Sequence, residues 1–383
     1  MQTDYTQKLE QLQAKGRLRA LRPVESRKYH LNLSSNDYLG IAANQELQQE
    51  FYDGRSQSTL SDYKLAASSS RLLTGDTRLA HDLEHKLATA YQSEAALLYN
   101  SGYHANIGIL PALFGKNDLI LSDKLNHASI HDGFRLSRAR CKRYNHVDYK
   151  QLRSLLEQYR KQYERVVIVS ESVFSMDGDV ADIEQLTDLK KEFDTMLYID
   201  EAHGVGLYGA SGLGKVEAVG KLAEVDLLLG TFGKAWASVG AFVCCSRVIR
   251  NYLINHSRSL IFTTGLAPVT LNWNRFVFEK SLTMDEERQH LQFLSQKIRG
   301  ALLAIGVEQV NSSNIIPILI GDDEKAVLQA AEMQKQGYLI LPIRPPAVPE
   351  GSARFRLSLA ADMQWTELRD LVEQLLKQKS EGL

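Results

Sequence analysis

Three side chains that can act together in carbonyl chemistry follow two apolar runs near the middle of the chain. Lys234 comes shortly after the run 225–229, and Asp200 and His203 come directly after the run 196–199. Short apolar runs of this kind are typical of buried strands, so we expect these side chains at strand ends. A lysine amine can form a Schiff base with the aldehyde of pyridoxal phosphate (PLP), and a carboxylate can keep the PLP ring nitrogen protonated. The pattern therefore indicates a PLP site with Lys234 as its catalytic amine.

Other interpretations of these residues are less favourable. Most lysines are solvated at the surface, but Lys234 lies between an apolar run and Ala235-Trp-Ala, which argues against full solvation. Burial lowers the pKa of a lysine and makes its amine a better nucleophile. Asp200 could cap a helix, yet a carboxylate directly after Tyr198-Ile is costly to bury unless it faces a cation. A protonated pyridine nitrogen is such a cation, so the cofactor interpretation explains both residues.

Further polar residues follow the other apolar runs of this region. They are Gly102 and Tyr103 after the run 95–99, His127 after 118–121, Ser175 after 165–169 and Thr231 after 225–229. Ligands of parallel sheets bind beyond the carboxyl ends of the strands, so we expect these residues to converge on one edge. His127 and His131 also have a spacing that could bind a metal, but no third ligand is evident and we expect no metal.

Strands and helices that alternate along the chain must position these residues. The six strand-like runs, which end with 241–245, are separated by polar, helix-like stretches such as 148–162 and 182–193. Continuous apolar strands separated by helices predict an α/β fold whose mostly parallel central sheet is covered by helices. We expect an N-terminal helix and short strand in residues 1–45, a large PLP-binding domain in 46–275 and a small α+β domain in 276–383.

Composition restricts the class of protein. The chain has 383 residues, of which 44% are hydrophobic and 24% charged, so a sizeable core is possible. Its formal net charge of -1 implies neither nucleic acid nor an anionic membrane as the main partner. No apolar run approaches the roughly 20 residues of a membrane helix. The three cysteines make neither a disulfide framework nor a zinc pattern, and the polar N-terminus lacks the apolar core of a signal peptide. We therefore expect a cytoplasmic protein.

The glycine-rich segment 204–215 leaves one alternative of a different class. Gly204-Val-Gly-Leu-Tyr-Gly209 has the spacing of a dinucleotide-binding loop, and the residues up to Lys215 resemble most of a phosphate-binding P-loop. However, no helix pattern follows Gly209 directly, and Val216 stands where a P-loop has the Ser or Thr that binds magnesium. A nucleotide-binding protein built on this segment remains the alternative.

Taken together, the motifs resemble the α-oxoamine synthases, which are PLP enzymes of the fold-type-I aminotransferase class. The likeness runs from Leu33 to Arg356 and is most specific at 122–129, 173–179, 200–204 and 231–234. The resemblance implies a fold-type-I PLP-dependent transferase with PLP as cofactor and a homodimer with a shared active site. A non-catalytic relative would be expected to lack the lysine, which this chain retains as Lys234.

The resemblance also implies a role for each matching residue. Lys234 would bind PLP and remove the α-proton of the amino acid, and Asp200 would pair with the ring nitrogen. His127 would stack on the ring, and His203 and Ser175 would contact its hydroxyl. The phosphate would be bound by Gly102, Tyr103 and Thr231, together with Thr263 and Thr264 reaching across from the other subunit. The substrate-binding residues would be Arg22, Asn36, Ala347 and Arg356, with Arg356 binding the amino-acid carboxylate.

Some features narrow the choice within the family. The compact length, Asp200-Glu-Ala-His-Gly and the loop 343–351 look most like the member that condenses L-alanine with a pimeloyl thioester in biotin biosynthesis. That thioester would be carried by coenzyme A or by an acyl carrier protein. Ala347 stands where this member usually has Thr, so a hydroxyl is missing from a loop expected to touch substrate. Glycine C-acetyltransferase, 5-aminolevulinate synthase and serine palmitoyltransferase share the core motifs and remain alternatives.

Overall fold

The chain forms two compact units in the computed structural model, which describes residues 2–21, 23–24, 28–308 and 312–380. The larger unit comprises residues 39–174 and 180–288. The smaller unit comprises residues 1–38, 175–179 and 289–383. The N-terminal segment therefore belongs to the same unit as the C-terminal residues. No helix among the described residues combines the length and the apolar character needed to cross a membrane.

The helices and strands are numbered in chain order. The helices are α1 (Gln2–Ala14), α2 (Gln45–Asp53), α3 (Arg78–Ala90), α4 (Gly102–Leu113), α5 (Ala128–Leu136), α6 (Tyr149–Tyr159), α7 (Ile183–Phe193), α8 (Lys215–Ala218), α9 (Arg247–His256), α10 (Arg258–Ile261), α11 (Pro268–Ser281), α12 (Asp285–Ala304), α13 (Asp323–Lys335) and α14 (Trp365–Ser380). The strands are β1 (Leu31–Asn32), β2 (Ala95–Tyr99), β3 (Leu119–Asp123), β4 (Arg140–Tyr144), β5 (Val166–Glu171), β6 (Met196–Asp200), β7 (Leu227–Thr231), β8 (Ala241–Cys245), β9 (Ile315–Gly321), β10 (Tyr338–Leu339), β11 (Pro342–Ile343) and β12 (Ala353–Ser358).

The larger unit is built on a seven-stranded sheet in the order β2-β8-β7-β6-β5-β3-β4. The strands from β4 to β7 pair in parallel, whereas β8 is antiparallel to both β2 and β7. Every residue of β2, β3, β5, β7 and β8 is buried. Strands buried on both faces read as continuous apolar runs, which is why they could be located from the sequence. The predicted mostly parallel sheet is confirmed.

The sheet differs from the prediction most clearly at β4 and β7, while the bounds of β3, β5 and β6 differ by one or two residues. β4 was not predicted, because its sequence Arg140-Cys-Lys-Arg-Tyr144 has no apolar run. It is an edge strand that pairs only with β3, so most of its side chains can remain partly solvated. β7 begins and ends two residues later than the predicted run 225–229, and Thr231 is therefore its last residue.

Two helices that follow β2 and β3 share a buried core with the sheet. Ile109 of α4 and Ile130 of α5 are fully buried and belong to one apolar cluster with Leu97 and Val169 of the strands. A Cβ on Gly133 of α5 would lie 2.5 Å from the backbone oxygen of Asn106 in α4, so this glycine permits the close approach of the helices. The packing brings polar side chains of the two helices into contact, since Asn106 Nδ2 of α4 donates to Ser129 Oγ of α5 at 2.9 Å.

The smaller unit contains two small sheets and long helices. β1 pairs in parallel with β10, and β11, β12 and β9 form an antiparallel sheet in that order. α12 supplies buried Leu294 and Ile298, and α14 supplies buried Leu368 and Leu371. The spacing of these pairs, three or four residues, places both members on one face of each helix. The mixture agrees with the α+β character predicted for this part of the chain.

Candidate active site

Lys234 and His203 come together at the ends of neighbouring strands. β6 ends at Asp200 and β7 at Thr231, and the two strands pair in register from Tyr198 to Asp200. Because the strands are parallel, the turns that follow them reach the same edge of the sheet. Lys234 Nζ lies 2.7 Å from His203 Nε2, which is a hydrogen-bond distance. His203 is buried and Lys234 is partly buried, so the amine is restrained without being enclosed.

Asp200 is a buried carboxylate at the last position of β6. It is 3% exposed, and its Oδ1 accepts the Ala202 N–H at 2.9 Å while its Oδ2 accepts Asn106 Nδ2 at 3.0 Å. Within the described part of the chain, both groups that hydrogen bond to this carboxylate are neutral. A buried carboxylate is costly unless a cation balances it. The position therefore suits a cationic group such as a protonated ring nitrogen.

His127 is the N-cap residue of α5 and lies close to both Asp200 and Lys234. Its Nδ1 lies 2.7 Å from Ser129 Oγ and accepts the Ser129 backbone N–H at 3.2 Å. Burial lowers the pKa of this imidazole, whereas the carboxylate of Asp200 raises it and the ammonium of Lys234 lowers it. The ring is thus fixed by the start of its own helix and lies within electrostatic reach of the other predicted residues.

Asn106 was not predicted, yet it contacts both Asp200 and the residue beside His127. Its Nδ2 donates to Asp200 Oδ2 at 3.0 Å and to Ser129 Oγ at 2.9 Å, and its Oδ1 accepts the Tyr198 hydroxyl at 2.6 Å. Buried amides are almost always hydrogen-bonded, so an Asn in a mostly apolar helix is a signal for a polar partner. That signal was present in α4, but it does not identify the partner.

The first turn of α4 lies opposite Thr231. Gly102 and Tyr103 are its first residues, and the backbone N–H groups of a first helical turn have no acceptor within the helix. A Cβ on Gly102 would lie 4.0 Å from Thr231 Cβ, so the two residues face each other. The Thr231 hydroxyl donates to Gly240 O at 3.0 Å. Helix N-termini bind phosphate, and the structure brings three of the five predicted phosphate-binding residues together.

Two buried acids beside the site were also absent from the predictions. Glu171 on β5 is the register partner of Asp200 and is 2% exposed. Burial and then the charge of Asp200 raise the pKa of Glu171 well above its usual range. Glu201 follows Asp200 directly, and burial raises its pKa to about 7. Both side chains therefore bind a proton more readily than an exposed glutamate does, which their sequence positions alone could not indicate.

The glycine-rich segment 204–215 does not offer an anion site. The Glu201 side chain accepts the Val216 N–H at 2.7 Å, and Glu217 accepts two N–H groups from within the loop. These acids use the N–H groups that a phosphate would need, and α8, which follows, has only four residues. Because these N–H groups already have acceptors, the structure argues against the nucleotide-binding alternative.

Arg356 in the smaller unit is held by oxygen atoms of three residues. Its Nε donates to the Ser175 carbonyl at 2.5 Å, and its terminal nitrogens donate to Asn36 Oδ1 at 3.1 and 3.0 Å. The Tyr38 hydroxyl accepts a further hydrogen bond at 3.0 Å. The structure therefore brings together Arg356, Asn36 and Ser175, although Ser175 contributes its backbone to this cluster. All the acceptors are neutral.

Three further predicted residues have less defined surroundings. Thr264 is exposed, and its carbonyl accepts Asn100 Nδ2 at 2.8 Å. Ala347 is exposed in a turn in which its N–H donates to Arg344 O at 3.1 Å. Arg22 lies outside the described residues. The binding roles of these three residues remain predictions.

The described ranges of the chain contain no group of residues suited to binding a metal ion. No three His, Cys, Asp or Glu side chains come together there in a way that could hold a metal ion. The pair His127 and His131 therefore has no third ligand among those residues.

Comparisons with known proteins reveal relatives over nearly the whole chain. The family described as aminotransferase class I and II matches residues 28–375. The 8-amino-7-oxononanoate synthase of Chlorobaculum parvum is 49% identical over 371 residues, which cover 92% of this chain and 93% of that protein.

Solved structures show the same similarity in three dimensions. A serine palmitoyltransferase from S. paucimobilis with bound PLP and myriocin has a TM-score of 0.89 at 25% identity and covers 99% of this chain and 98% of its own. An 8-amino-7-oxononanoate synthase from Francisella tularensis has a TM-score of 0.77 at 26% identity and covers 92% of this chain and 99% of its own.

Proposed function

The chain belongs to the aminotransferase class I and II family and within it to the α-oxoamine synthases, and from this premise we propose that it is a PLP-dependent acyltransferase that condenses L-alanine with a pimeloyl thioester. The products are 8-amino-7-oxononanoate, CO₂ and a free thiol, in the pathway to biotin. The observation that carries the proposal is the Lys234–His203 pair beside Asp200 at adjacent strand ends. The 49% identity to the Chlorobaculum parvum synthase supports these substrates.

The residues of the larger unit fit PLP. Asp200 is a buried carboxylate whose hydrogen-bond donors among the described residues are neutral, which suits a protonated ring nitrogen. The first turn of α4, at Gly102 and Tyr103, suits the phosphate. Lys234 supplies an amine for the aldehyde, and His203 lies beside it. When bound, PLP supplies a ring that accepts electrons from the Cα atom of the amino acid.

Lys234 is the base that takes the α-proton of L-alanine. A general base must come within hydrogen-bond reach of the proton that it removes. The partly buried side chain can move between positions, while the hydrogen bond to buried His203 gives its amine a defined resting direction. His203 thereby positions the base, and Asp200 provides the negative charge at the other end of the site.

The bonds of the reaction balance without a further reactant. Removal of the α-proton leaves an electron pair at Cα, which forms a bond to the carbonyl carbon of the thioester. The carbon–sulfur bond breaks, and the thiol leaves with a proton. The carboxylate of the amino acid then leaves as CO₂, and a proton returns to Cα. This order of steps follows from the family to which the chain belongs.

Arg356 is the residue that we assign to the carboxylate of L-alanine. A guanidinium presents parallel N–H groups that match a carboxylate. Its acceptors in the smaller unit are a carbonyl, an amide oxygen and a hydroxyl, so no protein carboxylate neutralises it within this cluster. Asn36 contacts both terminal nitrogens and fixes their orientation. Ala347 remains our candidate for contact with the acyl chain.

A cytoplasmic homodimer with a shared active site is part of the proposal. Large apolar side chains stand exposed on two segments of the larger unit, and they are Leu65, Leu72, Leu73 and Phe262. The two segments are joined, since the Gly265 N–H donates to Ser69 O at 3.0 Å. Grouped exposed apolar side chains are typical of protein–protein contacts. Thr264 lies in the second segment, so a partner that covers these side chains would approach it.

Substrate preference tests the proposed function. The purified protein, loaded with PLP, is assayed with L-alanine, glycine or L-serine against pimeloyl, acetyl, succinyl and palmitoyl thioesters, and products are identified by mass spectrometry. We expect the highest kcat/KM for L-alanine with a pimeloyl thioester. The structural similarity to serine palmitoyltransferase makes L-serine with palmitoyl-CoA the main competitor. A higher kcat/KM for that pair would overturn the proposal, and pimeloyl-CoA against pimeloyl acyl carrier protein would identify the carrier.

A further inference from the structure

A chain of hydrogen bonds leads from Asp200 to the ring of His127 through two side chains of the larger unit. Asn106 Nδ2 donates to Asp200 Oδ2 at 3.0 Å and to Ser129 Oγ at 2.9 Å. Ser129 Oγ in turn lies 2.7 Å from His127 Nδ1. Asn106 and Ser129 are each 1% exposed, so water does not replace these contacts. The proposed function gives neither residue a role.

The direction of each hydrogen bond follows from the groups involved. An ionised carboxylate only accepts, so the Asn106 group that faces Asp200 must be the NH₂ group. The same NH₂ donates to Ser129 Oγ, and the amide oxygen accepts from the Tyr198 hydroxyl. The Ser129 hydroxyl is thus free to donate onward to His127 Nδ1.

The backbone N–H of Ser129 indicates which nitrogen of His127 carries the proton. The N–H of Ser129 can only donate, and its acceptor is His127 Nδ1 at 3.2 Å. A proton on Nδ1 would face this N–H directly, and a backbone N–H cannot rotate away as a hydroxyl can. A neutral imidazole carries one proton, so that proton belongs on Nε2.

We propose that Asn106 and Ser129 are positioning residues that keep His127 neutral, with its proton on Nε2. The inference rests on the proposed function only in taking His127 to lie against the PLP ring. A neutral imidazole avoids repulsion from a protonated ring nitrogen, and Asn106 at the same time orients the carboxylate that pairs with that nitrogen.

The other titratable groups around His127 act in both directions. Asp200 on β6 and Asp132 on α5 favour the protonated imidazole, and Lys234 after β7 disfavours it. Glu171 on β5 is hydrogen-bonded to the His127 backbone and favours its own neutral form. His131, one turn further along α5, also has a pKa lowered by burial. Burial outweighs the two carboxylates and lowers the pKa of His127, in agreement with the hydrogen-bond geometry.

Nitrogen NMR of histidine-labelled protein tests the inference without any assay of turnover. Two-bond ¹H–¹⁵N spectra distinguish the Nδ1–H tautomer, the Nε2–H tautomer and the imidazolium, and a His127→Asn variant identifies the signal among the 10 histidines. We expect wild-type His127 to be the Nε2–H tautomer at neutral pH, both without and with PLP. An Nδ1–H tautomer or an imidazolium would overturn the inference.

The Ser129→Ala variant tests the role of the hydroxyl. Loss of one donor to the unprotonated Nδ1 should raise the pKa of His127 by about 0.5–1 unit relative to wild type. Ser281→Ala is the matched control, because Ser281 is equally buried but donates to Phe278 O at 2.8 Å in α11. This control should leave the titration of His127 unchanged. Equal shifts in both variants, or none in Ser129→Ala, would refute a positioning role for the hydroxyl.

The same samples separate this inference from the proposed substrates. An Nε2–H tautomer in a protein that does not condense L-alanine with pimeloyl thioesters would support the positioning role and refute the substrates. Turnover of those substrates by a protein with His127 as an imidazolium would support the function and overturn the inference.

Discussion

The amine of Lys234 lies at hydrogen-bond distance from a buried imidazole, and its replacement separates covalent attachment of PLP from simple binding. Lys234→Ala leaves Asp200 and the first turn of α4 in place, so we expect PLP to bind but to exchange freely. Borohydride reduction followed by peptide mass mapping should label Lys234 in wild type and no residue in the variant. Lys221→Ala removes a lysine that pairs with Glu224 at 3.0 Å and should still label Lys234. A covalent label on another lysine of wild type would contradict the assignment.

Asp200→Asn changes the charge at the other end of the site while keeping the size of the side chain. We expect PLP to remain bound and kcat for L-alanine and pimeloyl-CoA to fall by about 100-fold or more, because a fixed charge opposite the ring is lost. Steady-state kinetics and the visible spectrum of the bound cofactor measure the two effects. Asp285→Asn, at an acid that is 60% exposed, serves as the control. Near-normal kcat in Asp200→Asn would refute the role of this carboxylate.

Individual site residues differed in how far the sequence could identify them. Asp200 follows one apolar run directly and Lys234 follows another after a short turn, so a local pattern placed both at a sheet edge. Asn106 lies inside α4 and Glu171 is the last residue of β5, and in neither place does the residue type alone distinguish an active role from a structural one. Their environments depend on contacts with Ser129 and Asp200, which are distant in the chain and become neighbours only through packing.

At the scale of elements, Glu201 connects β6 to the loop that follows it. Its N–H donates to Leu229 O of β7 at 2.7 Å, and its side chain accepts the Val216 N–H at 2.7 Å at the start of α8. The Ser172 hydroxyl also donates to this carboxyl. A Cβ on Gly214 would lie 2.6 Å from the Glu201 carboxyl carbon, so the loop closes tightly around the acid.

The burial of Glu201 predicts a pH dependence of stability. Its pKa is about 7 in the folded protein against an ordinary value of 4.5, so the folded state binds the proton more tightly. The free energy of unfolding should therefore fall as the pH rises from 4.5 through about 7. Above that range the total loss should be on the order of 3 kcal/mol. Glu201→Gln removes this contribution, and its Tm should fall less than that of wild type between about pH 5 and pH 8.

Circular dichroism of the PLP-free proteins measures these Tm values. Glu46→Gln is the control, because Glu46 is exposed on α2 and the change should leave the pH dependence of wild type intact. The same pH dependence in Glu201→Gln and wild type would contradict the prediction.

Elements with a strong apolar pattern were predictable, and those without one were not. β2 and β8 were located to the residue, since each is a run of five buried side chains. The antiparallel direction of β8 could not be predicted, because an apolar run reads the same in either direction. β4 is polar and lies at the edge of the sheet, where burial imposes no pattern on its sequence.

At the scale of the whole molecule, the exposed side chain of Phe262 predicts self-association. Phe262 is 70% exposed, and Leu73 on the neighbouring segment is 76% exposed. Phe262→Asp would place a charge in the proposed contact, so we expect the dimer to dissociate at least about tenfold more readily. Sedimentation velocity over a concentration series measures this change.

Val248→Asp is the matched control for the dimer prediction. Val248 lies on α9 and is 77% exposed, so the change adds the same charge at an exposed position outside the proposed contact. If both variants weaken the dimer equally, or if neither weakens it, the interface does not include Phe262.

The parallel pairing of β1 with β10 has a consequence for the synthesis of the protein. About 300 residues separate the two strands in the chain. A ribosome adds about 5–20 residues per second, so the N-terminal strand waits roughly 15–60 seconds before its partner emerges. Throughout that interval Leu31 and Leu33, which are at most 5% exposed in the finished protein, face water on the nascent chain. The smaller unit is therefore completed late, and the waiting segment is a defined target for chaperones that bind exposed apolar residues.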